Sequence, residues 1–273
     1  MSELKCKHPS VWRRTIVNLS IFGEGFAKAL YRFSMLIQKI ANTLSFEHFW
    51  KQEVAPNQNV LIVPSFSKSG SKHKIWDIAI ERVRCLGEGG KVLEFGTNNG
   101  GSLYYFWKNL PGSTEFHGFD CFEGIPEAWD KLPKGAIKGF GYPAELWNDF
   151  PDQKVNVEEF VTRTGEIPPV PQENIKIHKG LFCHTIPSFC VAEKLKDVQL
   201  LHFDADIYMS TRPVLDAICG QMRHHYYILF DELYSVNHEF KAWMEFIDLF
   251  HITRWRVVAI SEDGVQALFE INY

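Results

Sequence analysis

The sequence lacks the marks of several large protein classes. Its six cysteines form no CxxC pair and no cysteine–histidine cluster at zinc spacing, so a structural zinc site is not expected. They read as free thiols of a reducing compartment rather than a disulfide framework. No GxGxxG follows an apolar strand, which removes the dinucleotide fingerprint. No apolar run reaches bilayer length. The polar N-terminus has no signal-peptide core, so the expected location is the cytoplasm and no membrane span is expected. The net charge of −4 provides no basic field for nucleic acid. What remains is a globular composition, 45% hydrophobic and 23% charged over 273 residues, enough for one large α/β domain.

Along the chain, apolar residues from Ile16 to Leu44 recur near a 3.6 period, which predicts helix over 11–50. Residues 51–73 carry Pro56, Pro64 and a Ser/Lys/Gly stretch and read as irregular. Helical spacing returns over 74–86 and ends at Gly87, Gly89 and Gly90. Strands then alternate with helices: strands are expected at 91–96, 115–120, 174–180, 198–204 and 226–231, helices at 102–110, near 187–195, around 212–222 and at 238–250. Two last strands, 254–261 and 265–272, flank Glu262-Asp263-Gly264 and read as a hairpin. The expected fold is a Rossmann-like, seven-stranded, mostly parallel sheet with helices on both faces, an antiparallel C-terminal hairpin at one edge and an N-terminal helical extension. The expected domains are a helical extension over 1–73, serving as a lid or a dimerisation segment, and a main domain over 74–273. Residues 121–173 break the rhythm and are rich in aromatics (Phe122, Trp129, Phe140, Tyr142, Trp147, Phe150, Phe160); they are expected to cover the strand ends.

Three motifs carry chemistry. The first is Glu94-Phe95-Gly96-Thr97-Asn98-Asn99-Gly100-Gly101-Ser102, a strand, a glycine turn and a helix start. Glycines let a ligand approach the backbone, and the helix start offers free N–H groups. A carboxylate beside them suits a cationic amino-acid ligand and would repel a pyrophosphate. The bland alternative is a tight turn with an exposed Glu. The second motif is Gly118-Phe119-Asp120-Cys121-Phe122-Glu123-Gly124, in which Asp120 ends the next strand and can accept from both hydroxyls of a ribose. A lone Asp there more often caps a turn; the preceding loop favours the functional role. The third is Phe203-Asp204-Ala205-Asp206-Ile207-Tyr208 together with Phe230-Asp231-Glu232, carboxylates at the ends of two further strands. If those strands are adjacent, Asp204, Asp231 and Glu232 converge as oxygen ligands for Mg²⁺ or another hard divalent cation. Each acid on its own would be read as a helix cap. His202 lies inside a strand and reads as a satisfied core residue, whereas His238 is a candidate general base.

On these residues the chain resembles class I S-adenosylmethionine-dependent methyltransferases, and in particular the macrocin O-methyltransferase family of natural-product sugar methyltransferases, from about residue 90 to about 250. Gly180-Leu181-Phe182 and Thr185-Ile186-Pro187 add to the likeness. The resemblance implies a cofactor site of Glu94, Phe95, Gly96, Thr97 and Asn98 with Gly100, Ser102 and Gly180, and of Asp120, Cys121, Phe122 and Glu123. It implies Mg²⁺ on Asp204, Asp231 and Glu232, with Asp204 also a base. The family usually has two Asp where this chain has Asp231-Glu232, and no sugar-binding signature is evident in the first 70 residues. The expectation is therefore methyl transfer to a hydroxyl of a small-molecule acceptor, aided by a divalent metal, with a homodimer accommodated by the apolar N-terminal helix. Two alternatives stand beside it: a metal-independent N- or carboxyl-methyltransferase, and a non-catalytic S-adenosylmethionine-binding or assembly module.

Overall fold

The computed structural model describes residues 24–70, 72–98, 100–129, 132–136 and 173–273. Two compact units divide after Ser45, whereas the sequence suggested a division after residue 73. Of the first unit, the structure describes the start of helix α1 (Glu24–Phe49), which matches the later part of the expected 11–50 helix. The expectation for 11–23, and for all of the aromatic insert beyond residue 136, lies outside the described residues.

The second unit is built on one eight-stranded sheet. Its strands are β1 (Leu61–Val63), β2 (Lys91–Phe95), β3 (Glu115–Asp120), β4 (Ile175–Lys179), β5 (Val198–Phe203), β6 (Tyr226–Phe230), β7 (Trp255–Ser261) and β8 (Ala267–Ile271), in the spatial order β1-β7-β8-β6-β5-β2-β3-β4. Seven of these match the expected strands. The eighth, β1, lies in the stretch read as irregular, because three residues between prolines are too few to show alternation. It pairs in parallel with β7 and forms the edge. The hairpin is present, but its antiparallel strand is not at the edge: β8 sits between β6 and β7, antiparallel to both. Folding the last strand back into the sheet lets it bury both faces, and all five of its residues are buried.

Helices cover the two faces, and alternation along each strand separates two cores. α3 (His73–Cys85) and α4 (Gly101–Asn109) pack Trp76, Ile80 and Phe106 against Val92, Leu200 and Leu229. α5 (Phe182–Ala192), α6 (Tyr208–Ala217) and α7 (Glu239–Leu249) pack Phe189, Leu215 and Trp243 against Phe95, Phe203 and Phe230. A short helix α2 (Phe66–Ser69) precedes α3. α5 starts more than a turn before Pro187, where a first-turn proline would have placed it. No helix among the described residues is long and apolar enough to cross a membrane.

A phenylalanine at or next to the end of each central strand sets the level of everything beyond it. Phe119, Phe95, Phe203 and Phe230 are in register across β3-β2-β5-β6 and stack at 5.1, 5.1 and 5.2 Å between ring centroids. All four are fully buried. Offset stacking of aromatic rings adds to the burial energy of such a row. Phe203→Ala, in its middle, is expected to cost about 3–5 kcal/mol of stability, read as a fall in the urea midpoint. A loss below about 1 kcal/mol would show that the ladder does not hold the sheet.

Candidate active site

Immediately after the phenylalanine ladder the chain turns, and the next residues are Gly96, Asp120, Asp204 and Asp231. The backbone continues the ladder one step: Gly96 N–H donates to Phe119 O, Asp204 N–H to Phe95 O and Asp231 N–H to Phe203 O, each at 2.9 Å. Gly96 has φ +96°, and a β-carbon there would lie 1.8 Å from the Asp204 carbonyl oxygen. Only glycine lets β2 leave the sheet this close to β5. Asn98 and Phe122 also hold positive φ, 45° and 58°, and their N–H groups donate to Asp120 Oδ2 at 2.8 Å and Oδ1 at 2.7 Å. Each oxygen keeps a second lone-pair site, so Asp120 fastens two strained turns and still has acceptor capacity for a ligand's hydroxyls. Burial pushes its pKa up against those two N–H donors. Thr97 and Ser102 are buried beside this turn, and Gly100, with φ +83°, opens α4. Cys121 donates from Sγ to Gly124 O, Glu123 is exposed, and Gly180 N–H donates to Asp120 O at 2.8 Å, which draws β4 to the same level.

Glu94 is not the exposed turn residue of the bland reading; it is fully buried. It points to the α3/α4 face and its Oε2 lies 3.0 Å from His202 Nδ1, while Oε1 is buried with no hydrogen-bond partner. Burial raises the Glu94 pKa, opposed by His202. The other nitrogen of His202 faces Asp231 Oδ1 at 3.5 Å. Burial alone would lower the pKa of this imidazole, but hydrogen bonds to Asp231 and Glu94 push it up to about 10. His202, which reads as a core residue in the sequence, is thus buried between two acids that favour its protonated form.

Asp231 is fully buried and committed on both oxygens. Lys72 Nζ lies 2.6 Å from Oδ2, and Gln266 Nε2 donates to Oδ1 at 2.5 Å. Although burial opposes ionisation, Lys72 and His202 hold this carboxyl far below the usual carboxylate range. Around it stand acids of opposite tendency. Asp204, Asp206 and Glu232 offer carboxylate oxygens all within 4.8 Å of one another. Burial raises the pKa of Asp204, and burial with repulsion from Asp204 raises Glu232 well above the usual range. Asp206, in the left-handed region at φ +61°, is pushed up to about 8 by burial and by Asp204. Glu239 is fully buried, accepts from the Glu232 N–H at 3.0 Å, and is raised by burial and the neighbouring acids. His238 precedes α7, and its Nδ1 accepts the Tyr208 N–H at 3.2 Å. In the neutral ring that leaves the proton on Nε2, which makes His238 a donor in this arrangement.

Asp204, Asp231 and Glu232, expected to converge, are held in different company. Asp204 and Glu232 group with Asp206, and Asp231 stands behind them on a lysine. Sequence reading missed Asp206 as a member of the acid set, together with Lys72, Glu239 and Gln266. Asp206 was visible in the Asp-x-Asp spacing; the others come from distant segments with no local signal.

A family model described as macrocin-O-methyltransferase (TylF) matches residues 73–266. Among solved structures, the O-methyltransferase NovP is 19% identical, with 73% of this chain and 80% of that one covered and a TM-score of 0.51. The calicheamicin methyltransferase CalS11 is 19% identical over 86% of this chain and 92% of its own, with a TM-score of 0.50. At that identity these two likenesses speak for the fold. No curated protein matches the chain.

The raised pKa of His202 has a consequence for stability. Its contribution is fully present below its ordinary value of 6.5 and is lost as pH rises through about 10. The gap in urea midpoint between the native chain and His202→Gln is expected to narrow as pH is raised from about 7 to about 10. A gap that stays constant or widens would show that His202 is neutral in the folded protein.

Proposed function

Given that this chain belongs to the macrocin-O-methyltransferase family and is an S-adenosylmethionine-dependent O-methyltransferase, we propose that it methylates a hydroxyl of a small natural-product or sugar-like acceptor at the carboxyl ends of β2, β3, β5 and β6. The observation that carries this reading is the common level at which Gly96, Asp120, Asp204 and Asp231 leave four adjacent strands. In open α/β sheets ligands bind outside those strand ends. The family's name and that of the calicheamicin enzyme favour a natural-product acceptor.

S-adenosylmethionine supplies the methyl group, carried on a sulfonium. The buried, unpartnered Glu94 Oε1 is suited to its amino group. Gly96, Thr97, Asn98, Gly100 and Ser102 would line its amino-acid end, and the remaining lone pairs of Asp120 would take its ribose hydroxyls. Cys121, Phe122, Glu123 and Gly180 would flank its base.

The acid set also fits a divalent cation such as Mg²⁺. Asp204, Asp206 and Glu232 crowd their oxygens, and Glu232 Oε2 is buried without a hydrogen-bond partner. Such an ion would acidify an acceptor hydroxyl and orient it. Asp231 enters this reading as the anchor of the set rather than as its exposed ligand. Proton removal belongs to the Asp204/Asp206 pair: two crowded carboxylates share an appetite for one proton. As the acceptor oxygen bonds to the methyl carbon and the carbon–sulfur bond breaks, the hydroxyl proton passes to the pair. His238, with Nδ1 committed to the Tyr208 N–H, would orient the start of α6. Most of the rate would come from in-line placement.

Metal-independent transfer is the second reading, favoured by one observation, the Lys72 ammonium already lodged against the acids. A homodimer through α1 is supported by Phe26, Leu30, Phe33, Ile37, Ile40 and Leu44 at alternating four- and three-residue steps.

Two substitutions test the proposal. Asp120→Ala is expected to weaken S-adenosylhomocysteine binding in calorimetry by at least tenfold. Asp204→Ala is expected to leave that binding within about threefold while methyl transfer falls by at least a hundredfold. Full transfer by Asp204→Ala would remove the acid set from the mechanism, and full transfer by the native chain in excess chelator would remove the metal. Absence of S-adenosylhomocysteine binding by the native chain would leave only an assembly module.

A further inference from the structure

Lys72 lies outside every motif that marks the site, yet its ammonium lies against the acid set. It stands at the start of α3, in the segment that read as irregular. Its Nζ is 2.6 Å from Asp231 Oδ2 and 3.7 Å from Glu232 Oε1. The lysine is half-buried, and Asp231 is wholly so. Asp231 Oδ1 is taken by the Gln266 amide at 2.5 Å and faces His202 Nε2 at 3.5 Å. Every oxygen of Asp231 thus already meets a donor, and the Lys72 ammonium carries a full charge. The three acids that remain close to one another are Asp204, Asp206 and Glu232.

A divalent ion entering this set meets two obstacles of the same origin. A carboxylate bound to an ammonium inside the protein gives up a charge-assisted hydrogen bond if it turns to a metal. The ammonium also repels the incoming charge across a few ångströms of poorly screened interior. A methionine of similar length would remove both obstacles and keep the packing of the lysine stem.

We infer that Lys72 is a positioning residue that holds Asp231 out of the metal's coordination and sets the divalent-ion affinity of the acid set low. It acts on the reaction through the ion, not by touching the acceptor. In a site of this composition a lysine is a resident counter-charge: it keeps the carboxylates assembled when no divalent ion is bound, and it limits how tightly one is held when present. This rests on the reading of the acid set as a cation site, and the test separates the two.

The experiment is Mn²⁺ titration followed by electron paramagnetic resonance of the free ion, on the full chain and three variants. S-adenosylhomocysteine binding serves as a check that each is folded. Lys72→Met is expected to bind Mn²⁺ at least fivefold more tightly than the native chain, and Lys72→Arg, which keeps the charge, to stay within about twofold of it. A smaller gain, no change or a loss in Lys72→Met overturns the inference, as does an equal gain in Lys72→Arg. Lys72→Met leaves the buried Asp231 without its ammonium, at a cost in stability; the double variant Lys72→Met/Asp231→Asn leaves no unpaired buried charge at this position. It is expected to retain Mn²⁺ binding within fivefold of the native chain, since Asp231 is not a ligand. A larger loss in a folded double variant overturns the inference by making Asp231 a ligand. Binding by the native chain that is unmoved by Lys72→Met removes the lysine's role alone. Absence of Mn²⁺ binding from every folded variant removes the cation site and the inference together.

Discussion

The row of stacked phenylalanines Phe119-Phe95-Phe203-Phe230 is the constraint on which the rest depends. Four parallel strands carry the same ring at the same height at or next to their ends, and the ladder continues on one side into His178, stacked on Phe119 at 4.4 Å. Because side chains alternate along a strand, registering one aromatic on each strand registers every neighbour. A slip of one residue on β5 would turn Phe203 to the wrong face and lift Asp204 out of the plane shared with Asp120 and Asp231. The apolar ladder is thus what places the polar residues beyond it.

The polar layer above that ladder is electrostatically one-sided. Glu94, Asp120, Asp204, Asp206, Asp231, Glu232 and Glu239 crowd the strand ends, against the cations Lys72 and His202. Lys72 and His202 share Asp231 and stabilise its charge. Burial and mutual repulsion raise the pKa values of the other acids, Glu94 beside His202 and Glu232 near Lys72 included. A site in this condition favours positive ligands, and a sulfonium and a divalent ion both answer to it. The strained backbone at Asn98, Phe122 and Asp206 lies in the same layer, held by hydrogen bonds to Asp120 and by the neighbouring strands. Strain of that kind persists only where surrounding structure over-determines it.

Much of this was legible in the chain itself. The apolar runs that end in Phe-Gly or Phe-Asp announce the four strands β2, β3, β5 and β6, which stop at a polar edge, and three more strands follow from apolar runs and the hairpin turn. Strand β1 was hidden because Leu61-Ile62-Val63 is too short to show a period and lies between prolines. The position of β8 was hidden for another reason: a hairpin predicts that β7 and β8 pair, but not that β8 also pairs with β6. Asp120 and the glycine turn meet because they follow consecutive strands that pair in parallel. The division of the acids, with Asp206 joining Asp204 and Glu232 and Asp231 withdrawn onto Lys72, depends on contacts between residues as far apart as 72 and 231.

The glycine turn, the acid after each strand and the order of strands and helices are properties of short stretches, whose local geometry follows from backbone sterics and side-chain alternation. By themselves they determined a parallel α/β domain of the macrocin-O-methyltransferase kind with a carboxylate-rich edge. Which carboxylates are ionised, which oxygens are already taken, and which stay open to a ligand was decided only by the tertiary structure. Those properties depend on burial and on the distance between charges, and neither exists until Lys72, His202 and Gln266 have been brought from three separate segments to the one buried aspartate between them.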